Sequence, residues 1–112
     1  MAYRPFDLTG KVALVTGGNG GIGFGMVEAL AQAGADVVIW GSNGKKNAAA
    51  AEALKGAGVR VLTQVVDVAD ETTVREGMAE AVRQMGRIDT VVANAGIGGG
   101  ASSFSEFPTE TY

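Results

Sequence analysis

A glycine-rich segment near the amino end of the chain has the composition of a phosphate-binding turn. Residues 16–25 read TGGNGGIGFG and hold six glycines between an apolar run and a helical pattern. Glycine has no Cβ, so such a backbone lets a ligand approach closely and adopts positive φ without strain. Free N–H groups and the positive dipole end at the start of a helix favour an anion. The segment therefore predicts a turn that binds phosphate groups, with a purely structural strand-to-helix turn as the alternative.

Three glycine spacings fit the same residues, and the segment alone does not choose between them. The matches are G-x-G-x-x-G at Gly18, Gly20 and Gly23; T-G-x-x-x-G-x-G at Thr16, Gly17, Gly21 and Gly23; and T-G-x-x-G-x-x-G at Thr16, Gly17, Gly20 and Gly23. The phosphate loop of nucleoside triphosphatases is excluded, because Phe24 and Gly25 stand where it requires lysine and then serine or threonine.

The elements around this turn predict an α/β fold, a doubly wound parallel sheet. Four short apolar runs have the length of strands, and because polar residues do not alternate in them we expect burial on both faces. These runs are residues 12–15, 37–40, 59–66 and 88–93. Helical patterns occupy 22–33, 46–55 and 70–85, with Asp70 as an N-cap and with Gly34, Gly56 and Gly86 as the stops. Alternating strands and helices build right-handed crossovers.

The composition excludes several classes of protein. The 112 residues are 46% hydrophobic and 19% charged, which is typical of one soluble domain with a packed core. The net charge is −3 and the nine basic residues are scattered, so nucleic acid is not an expected partner. The chain has no cysteine and no histidine, so we expect no metal site. No apolar run approaches about 18 residues, and we expect a cytoplasmic protein with no membrane partner.

Residues at two strand ends extend the glycine segment into a larger pattern. Asp67 and Val68 close the third run, and Asn94, Ala95 and Gly96 close the fourth, at the sheet edge that carries the glycine turn. With TGxxxGIG at residues 16–23, they resemble the short-chain dehydrogenase/reductase family of NAD(P)-dependent oxidoreductases over about residues 8–96. The resemblance implies a Rossmann-type sheet of strand order 3-2-1-4. It also implies one NAD(P)-binding domain, residues 1–112 with a core at about 8–96, as the N-terminal part of the family fold.

The resemblance also chooses among the glycine spacings. It implies that Gly17, Gly21 and Gly23 form the cofactor loop. Ile22 would lie near the nicotinamide end and Asn19 near the adenosine phosphate. The remaining glycines of the segment would serve the turn or its packing, namely Gly18, Gly20 and Gly25.

The strand-end residues receive roles from the same resemblance. Asp67 would accept a hydrogen bond from the adenine amino group, and the amide of Val68 would bind the ring. Asn94 would hold the central strands and line the cofactor floor, with Ala95 and Gly96 beside the ribose. The alternative interpretations are that Asp67 only caps a turn and that Asn94 only makes strand-end hydrogen bonds.

The end of the second strand bears on the choice between NAD and NADP. An acidic residue about 20 positions after the loop selects NAD, whereas an arginine favours the NADP phosphate. Residues 40–43 read WGSN and hold neither. No carboxylate would repel a phosphate there, and with Ser42, Asn43 and nearby Lys45 we slightly favour NADP. We expect Gly41→Asp to shift the preference toward NAD.

The catalytic residues of the family are not found among these 112 residues. The family uses a tyrosine as general acid with a lysine four positions later. Here Tyr3 precedes Arg-Pro-Phe-Asp and Tyr112 is the last residue, while Ser102, Ser103 and Ser105 come too early to be the family serine. We therefore assign no catalytic residue and expect a truncated or incompletely given enzyme that is inactive alone.

The resemblance implies the partners of the full-length enzyme. They are a dinucleotide, an alcohol or carbonyl substrate, and further copies of the chain in a homo-oligomer. A hydride would move between the nicotinamide and the substrate. The alternative is a noncatalytic nucleotide-binding or self-associating α/β module, such as a small flavodoxin-like domain.

Overall fold

The computed structural model describes residues 7–94, in which four parallel strands alternate with three α-helices. The elements are β1 (Val12–Thr16), α1 (Gly21–Gln32), β2 (Asp36–Gly41), α2 (Gly44–Ala53), a 3-10 turn (Lys55–Ala57), β3 (Val61–Val65), α3 (Glu71–Met85) and β4 (Thr90–Ala93). The strand order is β3-β2-β1-β4, and all three pairings are parallel. The predicted α/β class and the 3-2-1-4 order are both confirmed.

Two buried clusters lie on opposite faces of this sheet. On one face, strand residues pack against α3, and the cluster is Val12, Leu14, Val38, Trp40, Val66, Ala81 and Met85. On the other face they pack against α1 and the α2 segment, and the cluster is Val15, Val27, Ala31, Val37, Ile39, Ala50 and Leu54. Successive strand residues point to opposite faces, which is why each of the two central strands supplies both clusters.

The prediction that the strands are buried on both faces is confirmed for the two central strands, β1 and β2. It is wrong for the two outer strands, β3 and β4. Every residue of β1 is buried, as are five of the six residues of β2. Strand β3 is only half-buried, and Val91 in β4 is 51% exposed. Within residues 7–94, each outer strand has a neighbour on one side only.

The second helix and its connection differ from the sequence-based expectation. Helix α2 begins at Gly44 rather than at residue 46, because the Asn43 side chain accepts a hydrogen bond from the N–H of Lys46 and caps the helix. It ends at Ala53 with Leu54 as C-cap, so the predicted stop at Gly56 is wrong. The left-handed residue that precedes β3 is Gly58, with φ of +76°.

The other predicted helix signals agree with the structure. The Asp70 carboxylate caps α3 by accepting hydrogen bonds from the N–H groups of Thr72 and Thr73. A hydrogen bond from the Thr73 side chain, together with these backbone bonds, lowers the pKa of Asp70. Gly86 follows α3 with φ of +87°. Strand β4 begins at Thr90 rather than at residue 88. Asp89, just before it, bonds to Val12 twice, since its N–H donates to the carbonyl of Val12 and its side chain accepts from the N–H of Val12.

Neither a membrane-spanning helix nor a metal cluster is present in the part of the chain that the structure describes. No helix within residues 7–94 combines the length and the apolar content that crossing a bilayer requires. Over the same residues, the acidic side chains form no group of three that could hold a metal ion.

Candidate functional site

The carboxyl ends of β1, β2 and β3 open onto a cavity of about 280 Å³. This volume is close to the lower end of the range of about 300–1,000 Å³ typical of small-molecule sites. Six predicted site residues line it, namely Gly17, Asn19, Ser42, Asn43, Asp67 and Val68. The cavity therefore brings together the glycine turn and the ends of the second and third strands, as expected for a crevice at the carboxyl edge of a parallel sheet.

The glycine turn contains three positions at which the backbone requires glycine. Gly17 and Gly21 have φ of +67° and +58°, a left-handed conformation that side chains disfavour. A Cβ at Gly23 would lie 2.1 Å from the carbonyl oxygen of Gly17 and 2.5 Å from Nδ2 of Asn94. Helix α1 can therefore approach the turn this closely only if residue 23 has no side chain.

The remaining glycines of the segment have weaker or different constraints. A Cβ at Gly18 would lie 2.9 Å from Cγ2 of Val27, so this glycine allows close packing of the turn on α1. Gly20 is the N-cap of α1 with extended backbone. A Cβ added at Gly20 or at Gly25 would meet open space, with no atom within 4 Å.

The backbone N–H groups at the start of α1 are not capped by a side chain of the helix. Its N-cap makes no side-chain hydrogen bond, and its first turn contains no acidic residue. The first N–H groups of a helix have no acceptor within the helix, so they remain available to an anion. Ile22 stands in this first turn with 80% of its surface exposed, outside the cavity lining.

Asn94 joins the end of β4 to the end of β1. Its backbone N–H donates to Oγ1 of Thr16 at 2.9 Å, and its Nδ2 donates to the carbonyl of Gly17 in a longer bond of 3.4 Å. Asn94 therefore contacts both the last residue of β1 and the first residue of the glycine turn. The next two predicted site residues, Ala95 and Gly96, lie outside the described residues.

Asp67 takes part in a turn and also lines the cavity. Its Oδ1 accepts a hydrogen bond from the N–H of Ala69 at 2.9 Å, and its carbonyl accepts one from Asp70 at 2.9 Å. The capping role is therefore present, and the exposed carboxylate also faces the cavity with half-buried Val68 beside it.

Sequence reasoning missed part of the cavity lining. Lys46, not the predicted Lys45, lines the cavity, and so does Val66. Trp40 and Gly41 of the WGSN segment complete the lining. The signal that could have found Lys46 was Asn43 as an N-cap, because a helix that starts after Asn43 places Lys46 in its first turn. Here Asn43 Oδ1 accepts from the N–H of Lys46 at 3.0 Å.

Gly41 is more crowded than its sequence context indicated. A Cβ there would lie 2.2 Å from Nδ2 of Asn19 and 2.4 Å from Oδ1 of Asn47. An aspartate at position 41 must displace this asparagine pair, so Gly41→Asp changes packing as well as charge. The expected shift toward NAD stays a prediction, and exposed Ser42 in the same cavity is a position free of that clash.

Comparison with known proteins agrees with this geometry. A family model described as short chain dehydrogenase matches residues 11–112. The chain belongs to the short-chain dehydrogenase family. Members of this family are oxidoreductases.

Individual short-chain dehydrogenases show how much of the family fold is covered. Sorbose reductase of Candida albicans is 44% identical over 82% of this chain and 33% of its own length. A probable NADP-dependent mannitol dehydrogenase of Yarrowia lipolytica is 45% identical over 82% and 33%. The crystal structure of an NAD⁺-bound xylitol dehydrogenase matches with a TM-score of 0.79 at 31% identity, over 93% of this chain and 40% of that one. The chain thus spans about a third of the length of the curated relatives.

Proposed function

We propose that this chain is the NAD(P)-binding part of an oxidoreductase that moves a hydride between nicotinamide and an alcohol or carbonyl compound. The observation that carries the proposal is the close approach of α1 to the glycine turn at Gly23, directly beside the cavity. Only a bare backbone fits there, and we infer that the N–H groups at the start of α1 face the strand-edge crevice. Membership of the short-chain dehydrogenase family supports the same assignment.

The described residues fit the two ends of a dinucleotide. In our proposal, the N–H groups at the start of α1 bind the pyrophosphate, with Gly17, Gly21 and Gly23 keeping that surface free of side chains. The Ile22 side chain, 80% exposed beside this turn, would contact the nicotinamide end. When bound, the cofactor supplies the hydride chemistry, and the chain supplies binding and orientation.

The cavity between the ends of β2 and β3 is the proposed place of the adenosine. Asp67 has the carboxylate to accept from an exocyclic amino group, and the amide of Val68 would bind the ring. Asn19 would lie near the adenosine phosphate. Asn94, which bonds to Gly17 and does not line this cavity, would hold the central strands and line the cofactor floor. Ala95 and Gly96 are proposed to lie beside the ribose on the strength of the family resemblance.

These 112 residues would bind the cofactor and would not transfer a proton to or from the substrate. They contain no tyrosine with a lysine four positions later, so none of them is assigned as general acid. We propose a single nucleotide-binding domain and expect the 112-residue polypeptide to bind cofactor without turning over an alcohol or a ketone.

We further propose that the site prefers NADP, because of Lys46. Its side chain lines the cavity with Ser42 and Asn43, and the first turn of α2 contains no acidic residue. A 2′-phosphate there would meet a positive charge and the positive end of the α2 dipole. We expect NADPH to bind more tightly than NADH.

Replacing Lys46 with glutamine is expected to weaken NADPH binding about fivefold, since an exposed charge pair contributes about 1 kcal/mol. NADH has no 2′-phosphate, so its dissociation constant should change little. Titration of each nucleotide can be followed through Trp40, the single tryptophan of the chain, which lines the cavity.

Lys45→Gln is the matched control, because it removes the same charge from the neighbouring residue, which does not line the cavity. Equal losses for the two variants would show a general charge effect and contradict the role of Lys46. Tighter binding of NADH than NADPH by the unmodified chain would contradict the NADP preference. A folded chain that binds neither nucleotide would contradict the proposed function itself.

A further inference from the structure

The first turn of α2 carries a buried polar side chain that the proposed binding roles do not use. Asn47 is 2% exposed, and with Ala50 it forms the buried side of an otherwise exposed, alanine-rich helix. Burying an amide is unfavourable unless its polar atoms are hydrogen-bonded. Alanine would fill such a position without needing hydrogen-bond partners. We therefore expect the Asn47 amide to make specific hydrogen bonds.

The Asn47 amide bonds to three separate segments of the chain. Its Nδ2 donates to the carbonyl of Gly41 at 3.1 Å and to the carbonyl of Gln64 at 3.1 Å. Its Oδ1 accepts from Nδ2 of Asn19 at 2.9 Å. One side chain thus connects the end of β2, the end of β3 and the glycine turn.

These bonds fix the orientation of the amide. Both N–H groups of Asn47 are used on carbonyl oxygens, and rotating the amide by half a turn would place its own oxygen against them. Oδ1 is therefore held toward the glycine turn. The missing Cβ of Gly41 makes room for the pair, because a Cβ there would lie 2.2 Å from Asn19 and 2.4 Å from Asn47.

Asn19 is the residue on which this arrangement acts. It is half-buried, lines the cavity and gives one of its two N–H groups to Asn47. Its Oδ1 and its second N–H are the groups it can offer to a ligand. A single bond from a rigid, buried partner therefore selects which face of the Asn19 amide is presented to the cavity.

We propose that Asn47 is a positioning residue that orders Asn19 for nucleotide binding and couples the glycine turn to the ends of β2 and β3. The inference rests on the proposed function, since it requires that Asn19 contacts the bound dinucleotide. Asn47 itself does not touch the ligand. Asn47 affects nucleotide affinity only by orienting Asn19. Replacing Asn47 should therefore lower the affinity only when Asn19 is present, whereas a general loss of stability would not depend on Asn19.

A double-mutant cycle in the 112-residue chain tests this dependence. NADPH is titrated against the unmodified chain, Asn47→Ala, Asn19→Ala and the double variant, at a temperature where circular dichroism shows each to be folded. We expect Asn47→Ala to weaken binding about tenfold and the double variant to bind no more weakly than Asn19→Ala alone. Coupled residues show such non-additivity, whereas independent ones add.

Ala50→Gly is the stability control. It weakens the same helix one turn later, at a buried position whose side chain packs in the apolar cluster on the α1 side of the sheet. We expect its NADPH dissociation constant to stay within twofold of that of the unmodified chain, even though its unfolding midpoint falls.

The outcomes distinguish the inference from the function on which it rests. If the unmodified chain binds NADPH and folded Asn47→Ala binds equally well, the positioning role is wrong. It is also wrong if the two single losses add in full. An unmodified chain that binds neither NADPH nor NADH contradicts the proposed function instead. If Asn47→Ala does not fold, the cycle is run with Asn47→Ser, which retains a donor, and is judged by the same criteria.

Discussion

Gly23→Ala is expected to abolish measurable nucleotide binding and to lower the free energy of unfolding. The added Cβ would lie 2.1 Å from the carbonyl oxygen of Gly17 and 2.5 Å from Nδ2 of Asn94, and Cβ contacts under 3.0 Å essentially never occur. The nearest atom belongs to the backbone, so relief requires α1 to move away from the turn. Overpacking of this kind costs about 1–3 kcal/mol.

We expect Gly23→Ala to impair nucleotide binding more severely than it impairs folding. Moving α1 shifts the N–H groups that we assign to the pyrophosphate, and the strength of a hydrogen bond falls steeply with distance and angle. We expect at least a hundredfold increase in the NADPH dissociation constant, measured by titration of the folded protein. Urea unfolding followed by circular dichroism measures the stability change separately.

Gly25→Ala is the matched control for this variant. It lies two residues later in α1, has ordinary φ and has no atom within 4 Å of the added carbon. Alanine is favoured over glycine inside a helix by about 0.5–1 kcal/mol, so this variant should be at least as stable as the unmodified chain. If Gly25→Ala impairs binding as much as Gly23→Ala, the close approach at residue 23 is not the cause.

The sheet could be predicted from the sequence because its signals are local. The apolar runs of β1 and β2 are continuous and helical patterns alternate with the strands, so the crossover rule leaves few topologies. The exposure of β3 and β4 was not predictable in this way. A run such as Val61–Val65 has the composition of a buried strand, and its burial depends on how many neighbours the fold gives it.

The candidate site was predictable to the extent that its residues follow strand ends. Asp67 and Val68 come two and three residues after the last residue of β3, so the carboxyl-edge rule placed them at the cavity. Lys46 was missed because the side of α2 that faces the cavity depends on where Asn43 starts the helix. Asn47 was missed because its three partners are brought together only by the folded chain, and nothing in the run NAAAA indicates them.

Trp40→Ala is expected to be the most destabilising single change in the described residues that line the cavity. Trp40 is 3% exposed, and its Nε1 donates to Oε1 of Gln64 at 2.7 Å. Removing a buried tryptophan side chain costs about 3–5 kcal/mol, against a total stability of about 5–15 kcal/mol for a typical domain. The variant should therefore be partly unfolded at moderate urea concentrations.

The packing of α3 explains why alanine cannot replace this ring without loss of stability. A Cβ at Gly77 would lie 3.3 Å from Cζ2 of Trp40, so the helix already sits as close to the ring as a glycine allows. Gln64 then joins the two, since its Nε2 donates to the carbonyl of Gly77 at 3.0 Å. Without the indole, α3 loses both its apolar contact and the residue that orients this bridge.

Trp40→Phe separates the two contributions. It keeps most of the apolar volume and leaves Oε1 of Gln64 without the indole donor, which costs about 1 kcal/mol for a typical hydrogen bond. Urea unfolding followed by circular dichroism should rank the chains as unmodified, then Phe, then Ala. The phenylalanine variant should still bind nucleotide, because the glycine turn and Asn19 are unchanged. A Trp40→Ala variant within 1 kcal/mol of the unmodified chain would contradict the packing of α3 on this ring.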